Sequence, residues 1–160
     1  MLLKKVIVFG TFDILHPGHL DLFNQAKKFG DFLVVVVARD KNVLKSKGKF
    51  SNNNEQVRLK ELKTFNKFRK LFPKYWLRHK ENLKNKNRNN LLIGKVILGN
   101  LKDKYKILQK EKPDIIALGY DQKVNLKILQ NKLEQYNIKS VQIVRLKAFQ
   151  PDIYKSSKLK

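Results

Sequence analysis

The sequence predicts an α/β fold in which a five-stranded parallel sheet is doubly wound, with helices on both faces. Three observations carry this. Short, almost wholly apolar runs such as Val6–Phe9 and Phe32–Ala38 have the length and continuity of strands buried on both sides. Segments with apolar residues at helical spacing separate them. The first strand, helix and strand fit within about forty residues, the span of a βαβ unit with parallel strands and a right-handed crossover. Together these give a Rossmann-like sheet. At 160 residues the chain is long enough for one such domain and too short for two ordinary ones, so residues 1–160 are read as a single domain.

The elements follow in order. After Val6–Phe9, residues Leu20, Leu22, Phe23 and Ala26 mark a first helix, with Pro17 preset for its first turn and Gly30 placed as a C-terminal glycine. Phe32–Ala38 is the second strand. Arg39 and Asp40 stand at its carboxyl end, the edge where open α/β sheets bind ligands. Lys41–Lys49 reads as a basic loop, either a solvated turn or, given the strand end it follows, a phosphate contact with Lys47 ahead of Lys45. Asn53 and Gln56 have the spacing of a capping box, opening a helix that carries Val57, Leu59, Leu62 and Phe65.

From about 68 to 92 the character changes, and basic residues interleave with Phe72, Tyr75, Trp76 and Leu77. Two readings stand for this stretch: a basic, aromatic surface for nucleic acid or membrane, or a short helix packing Trp76 and Phe72 followed by a solvated tail. Lys95–Leu98 is the third strand, and Leu101–Lys112 a basic helix stopped before Pro113. Asp114–Leu118 is the fourth strand, with Gly119, Tyr120, Asp121 and Gln122 at its carboxyl end. Val124–Tyr136 is a helix and Ser140–Arg145 the fifth strand. A last loop leads to Ser156, Ser157 and Lys158, a helix start supplying hydroxyls, N–H groups and a cation.

The chemistry concentrates between the first strand and the first helix, in residues 10–19. Gly10 and Gly18 let the backbone approach a ligand, and the unpaired N–H groups of the helix's first turn favour an anion. His16 and His19, one turn apart, face the same place. This suits a charged group with several oxygens better than a metal. The remaining histidine, His79, lies far off in a basic segment, and the chain has no cysteine, so no metal site is expected. There is no Walker P-loop and no Gly-x-Gly-x-x-Gly dinucleotide fingerprint.

Gly10-Thr11-Phe12-Asp13 followed by His16-Pro17-Gly18-His19 resembles the signature of the HxGH nucleotidyltransferases, the family of cytidylyltransferases, FAD synthases and related adenylyltransferases. The likeness runs over nearly the whole chain apart from the basic stretch at 68–92, which reads as an insertion. It implies transfer of a nucleoside monophosphate from an NTP to a phosphate-bearing acceptor, with release of pyrophosphate. It implies that His16 and His19 hydrogen-bond the phosphates, that Lys47 and Lys158 flank them as cations, and that N–H groups after Thr11 and at Gly18 hold the triphosphate. Asp13 would position lysine or histidine partners, or Mg2+ carried in by the nucleotide. Gly10, Phe12, Asp40, Gly119, Asp121, Ser156 and Ser157 take the places of further nucleotide contacts. Where the cytidylyltransferase form has Ile-Ser-Thr, this chain has Tyr154-Lys155-Ser156 and ends soon after. Arg39-Asp40 and Gly119-Tyr120-Asp121-Gln122 look more like archaeal-type FAD synthases, which implies ATP and FMN. The alternative is CTP with glycerol 3-phosphate or another phospho-alcohol.

The net charge of +23 is extreme. It has two readings: a field that gathers polyphosphates or nucleic acid, or the lysine and asparagine excess of an AT-rich coding sequence. Arginine, the better bidentate reader of phosphate and bases, is scarce. A nucleic-acid-binding module on the same fold is therefore the rival from another class, with weak binding through the insertion, and a homodimer is compatible with either. The N-terminus lacks the features of a secretory signal and no apolar run approaches a membrane span, so a cytoplasmic protein is expected.

Overall fold

A computed structural model describes residues 3–71, 93–150 and 152–153. The chain runs β1 (Lys5–Gly10), α1 (Pro17–Lys27), β2 (Phe32–Val37), α2 (Asp40–Lys47), α3 (Glu55–Leu71), β3 (Lys95–Leu98), α4 (Lys106–Glu111), β4 (Ile115–Leu118), α5 (Leu126–Gln135) and β5 (Gln142–Arg145). The sheet order is β3-β2-β1-β4-β5, and every pairing is parallel.

The period of the strand sorts its side chains onto two faces. Val6, Val8, Leu33, Val35, Val37, Ile115 and Ala117 pack against Phe23 and Ala26 of α1 and Leu62 of α3. Ile7, Val34, Val36, Ile116 and Leu118 turn the other way, onto Leu108 of α4 and Leu129 and Leu133 of α5. Each of the Val, Leu, Ile and Phe side chains among them, removed from water, contributes roughly 1.5–3 kcal/mol. Both faces of the sheet are thus covered, which is why the strands are apolar without alternation. No helix among the described residues is long and apolar enough to cross a membrane.

Three local expectations are corrected. Residues 40–47 form a helix, not a loop: Gly48 at φ 71° takes the left-handed position after α2 and its N–H donates to Leu44 O. Gly30 does not end α1 through a left-handed turn. It stands where a Cβ would come within 2.6 Å of Lys4 O, so it permits close packing beside β1. The helix expected over 101–112 is only α4. Asn100 Oδ1 accepts from the N–H groups of Lys102 and Asp103, and Asp103 Oδ1 accepts from Tyr105 N–H, so side-chain-capped turns take up the first residues.

The strand order reverses between β1 and β4. One crossover leaves β1 for β2, while the chain later returns from β3 to the opposite side of β1. The carboxyl ends of β1 and β4 therefore diverge into loops that pack on different faces, leaving a crevice at the switch point.

Candidate active site at the switch point

The β1–β4 ladder closes at the Val8–Ala117 pair. Beyond it opens a cavity of about 730 Å3, walled by the loops that leave both strands. Of the residues singled out from sequence, Gly10, Thr11, Phe12, His16, Gly18, His19, Lys47, Gly119 and Asp121 line it. A second, more open cavity of about 690 Å3 lies beyond β3, lined by Arg39, Lys102, Lys106 and Lys132. Of the motif residues only Arg39 reaches that one.

Phe12 sets the shape of the loop after β1. Its φ of 52° is in the left-handed region, uncommon for a bulky residue. The ring folds back over Gly10, where a Cβ would meet it at 2.5 Å, and is 3% exposed. It lies edge-on to His19 at 5.2 Å and against Phe23 at 5.4 Å. Gly10 is required by this fold-back, and Phe12 is as much a core residue as a wall of the cavity.

His16 is the N-cap of α1. Its Nδ1 accepts from Gly18 N–H at 3.1 Å, which puts the proton of the neutral ring on Nε2. Pro17 follows at the first helical position, where a missing N–H costs nothing. One turn on, the His19 ring stacks on His16 with centroids 3.8 Å apart. Burial, reinforced by His16 and Lys47, lowers the His19 pKa to about 3, and burial also lowers that of His16. Both rings are therefore neutral near pH 7. His19 Nδ1 is buried without a hydrogen-bond partner among the described residues. Ser46 and Lys47, in the last turn of α2, also line the cavity.

The opposite wall is the loop after β4. Gln122 Oε1 accepts from Gly119 N–H at 2.9 Å, and its Nε2 donates to Phe9 O on β1. Arg145 of β5 donates to Gly119 O at 2.9 Å and to Gln122 O at 3.1 Å. Gln25 of α1 holds the loop after β5 by a reciprocal pair with Lys147, accepting from its N–H at 2.9 Å and donating to its O at 3.0 Å. Lys147 and Phe149 of that loop line the cavity, as do Lys104 and Tyr105 from the loop before α4.

Two sequence expectations take a different form. Asp13 does not line the cavity. Its carboxylate accepts from Asn52 and Asn53 N–H groups, each at 2.8 Å, and Asn53 Nδ2 donates back to Asp13 O at 2.9 Å. With Asn53 so engaged, the cap of α3 is Asn54, whose Oδ1 accepts from Gln56 and Val57, in place of the expected Asn53. Asp40 also lies off the cavity. It accepts from Glu55 N–H at 3.0 Å and pairs with the fully buried Arg58 at 2.6 Å. Burial pushes the Asp40 carboxyl up, but those hydrogen bonds and the Arg58 charge outweigh it and hold the pKa below the usual range.

Arg58 was invisible from sequence, one basic residue among many on a helix. It donates to Asn53 O, to Thr11 O and to Ala38 O, tying the loop before α3 to the ends of β1 and β2. Ser156, Ser157 and Lys158, and residues 72–92 of the stretch read from sequence as an insertion, lie outside the described residues. Among the described residues no group of three His, Cys, Asp or Glu side chains is placed to hold a metal ion.

A family model described as cytidylyltransferase-like matches residues 7–160. The chain is similar to an FAD synthase of Ferroglobus placidus, 40% identical over 146 residues that cover 91% of this chain and 78% of that protein. It is similar to an FAD synthase of Thermoplasma volcanium, 34% identical over 98% of this chain and 91% of that protein. Among solved structures it resembles one titled as a lipopolysaccharide core biosynthesis protein from Thermoplasma volcanium, with a TM-score of 0.68 and 35% identity. That match covers 92% of this chain and 99% of the other.

Proposed function

The chain belongs to the cytidylyltransferase-like family, and we propose that it is an FMN adenylyltransferase, an FAD synthase that joins the AMP of ATP to the phosphate of FMN. Nucleotidyl transfer is what the switch-point cavity suits. The observation that carries the reading is the stacked, neutral pair His16 and His19 at the N-terminus of α1, facing a cavity that Lys47 also lines. The choice of ATP and FMN rests on FAD synthases being 30–40% identical to this chain over most of its length.

In the reaction an oxygen of the acceptor phosphate attacks the α-phosphorus of the nucleotide. The bond from that phosphorus to the bridging oxygen breaks, and pyrophosphate leaves with the electron pair. Two anions meet and charge gathers on the transferring and leaving oxygens, so positioning and electrostatic stabilisation dominate and no protein nucleophile is needed. Neutral imidazoles donate hydrogen bonds to those oxygens without adding charge to the empty site. Binding of a polyanion then raises their proton affinity as negative charge accumulates. Lys47 and the N–H group after Thr11 supply the fixed positive field, while the Gly18 N–H, spent on His16 Nδ1, holds that ring in place and does not meet the triphosphate as the motif implied. Ser156, Ser157 and Lys158 are assigned to the triphosphate by their place in the motif.

Enzymes of this class use a divalent ion with the nucleotide, and we take it to be Mg2+. Since no carboxylate cluster waits for it among the described residues, it enters as part of the substrate, Mg·ATP, held mainly by phosphate oxygens.

The test is pyrophosphate release with ATP or CTP against FMN, glycerol 3-phosphate and phosphocholine. Turnover with ATP and FMN alone is expected. Turnover with CTP and a phospho-alcohol would replace the base and acceptor assigned here while leaving the chemistry in place.

A further inference from the structure

We propose that Gln122 is a positioning residue: its carboxamide is a side-chain rung joining β1 to β4 beyond the last backbone pair, and it fixes the width of the catalytic crevice. This rests on the reading of that crevice as the site of nucleotidyl transfer.

Parallel strands expose their backbone groups alternately to the two neighbours. Gly10 O faces β2, accepting from Ala38 N–H at 2.8 Å, so Phe9 O faces β4. The β1–β4 ladder, however, has already closed at Val8 and Ala117. Past that point Phe9 O and Gly119 N–H lie on diverging strands at the floor of the cavity. Left there, each is a polar group short of a partner, which is costly in a half-buried site. Gln122 meets both needs with one amide. The pairing is directional: Phe9 O only accepts and Gly119 N–H only donates, so only Nε2 toward Phe9 and Oε1 toward Gly119 satisfies both.

The loop carrying Gln122 is itself fastened. Gln122 N–H donates to Gly119 O at 3.2 Å, closing the turn. Arg145 draws in Gly119 O and Gln122 O from the outside. The rung is therefore anchored to β5 as well as to β4. On the β1 side it reaches the residue just before Gly10, from which the histidine loop springs. One amide thus sets the distance between the wall bearing His16 and His19 and the wall bearing Gly119 and Asp121.

The reaction needs both walls at once, and a misplacement of about 1 Å between reacting groups can cost on the order of 100-fold in rate. Gln122→Met keeps the length and volume but makes neither bond. Gln122→Glu, ionised, keeps the acceptor for Gly119 N–H and loses the donor for Phe9 O.

With ATP and FMN at pH 8, both variants are expected to lower kcat about 10- to 100-fold while KM for ATP changes less than about threefold, in protein that melts cooperatively. Amide exchange followed by NMR reads the rung without turnover: Gly119 exchanges at least about tenfold faster in Gln122→Met than in wild type and stays protected in Gln122→Glu. A Gln122→Met protein with wild-type kcat overturns the positioning role, and unchanged Gly119 exchange in that variant overturns the rung itself. Wild-type protein that turns over no nucleotide would instead sink the catalytic reading, with the exchange result still deciding the rung.

Discussion

His19 shows how much the site asks of one residue. Its pKa of about 3 in the folded protein stands against an ordinary histidine value near 6.5. As pH falls below 6.5 the unfolded chain takes up a proton that the folded chain refuses until near 3. Stability therefore drops across that window by up to about 1.4 kcal/mol per pH unit and is insensitive to this group above it. His16, lowered by burial, adds in the same direction. Asp40 and Glu55 have depressed pKa values, so their contribution is present above the unfolded carboxyl range and is lost only below about pH 4. Urea midpoints measured from pH 7.5 to 4.5 should fall steadily for the wild type and less steeply for His19→Gln, which cannot take up the proton. Equal slopes would show that the His19 ring is not held neutral by its surroundings. The histidines were legible in the sequence because a strand end, a proline and two imidazoles one turn apart leave few other meanings. Asp13 and Asp40 were not, since an aspartate near a ligand edge reads the same whether it faces the ligand or the backbone. Their partners, Asn52, Asn53 and Arg58, arrive from α3 and the loop before it.

At the scale of elements, the strands and most helices follow from apolar runs and spacing, and the misreadings cluster where a polar side chain decides a boundary. Residues 41–49 look like a loop because four of the nine are lysine. What makes residues 40–47 a helix is the junction with α3, which no local pattern reveals. Arg39 Nε donates to Glu55 Oε1 at 2.9 Å, Asp40 N–H donates to Glu55 Oε2 at 2.8 Å, and Arg58 binds Asp40. This matters for function because α2 delivers Ser46 and Lys47 to the cavity. Arg58→Met should therefore lower stability by about 3–5 kcal/mol, the usual cost of breaking a buried pair from one side. It should also weaken ATP binding although Arg58 does not line the cavity. Adding Asp40→Asn to Arg58→Met should recover part of the stability, because the stranded charge is then gone. Chemical denaturation of the three proteins checks this, and a single variant within about 1 kcal/mol of wild type would show the guanidinium does not brace the junction.

The whole molecule carries 36 basic against 13 acidic residues, and the sequence left open whether that excess serves a ligand. In the described residues the ion pairs gather acids into fixed structural places: Glu111 with Lys5 and Lys95, Asp103 with Lys132, Asp40 with Arg58, Glu55 with Arg39. Whatever their pairing, thirteen acids leave a net charge of +23, so the folded state repels itself while its crevice attracts polyphosphate. Salt then acts on the two in opposite senses. Raising ionic strength from about 10 mM to about 150 mM shortens the screening length from roughly 30 Å to roughly 8 Å. Screening relieves self-repulsion, so the melting temperature should rise. The same screening weakens the gathering of Mg·ATP, so KM for ATP should increase about 3- to 10-fold. Meanwhile kcat, governed by contacts of a few ångström inside the crevice, should change little. A flat KM across that range would mean that the field of the molecule does not reach its substrate and that the lysine excess is compositional. A KM that rises while kcat holds would assign the charge to capture of the nucleotide and leave the chemistry to the few groups around His16 and His19.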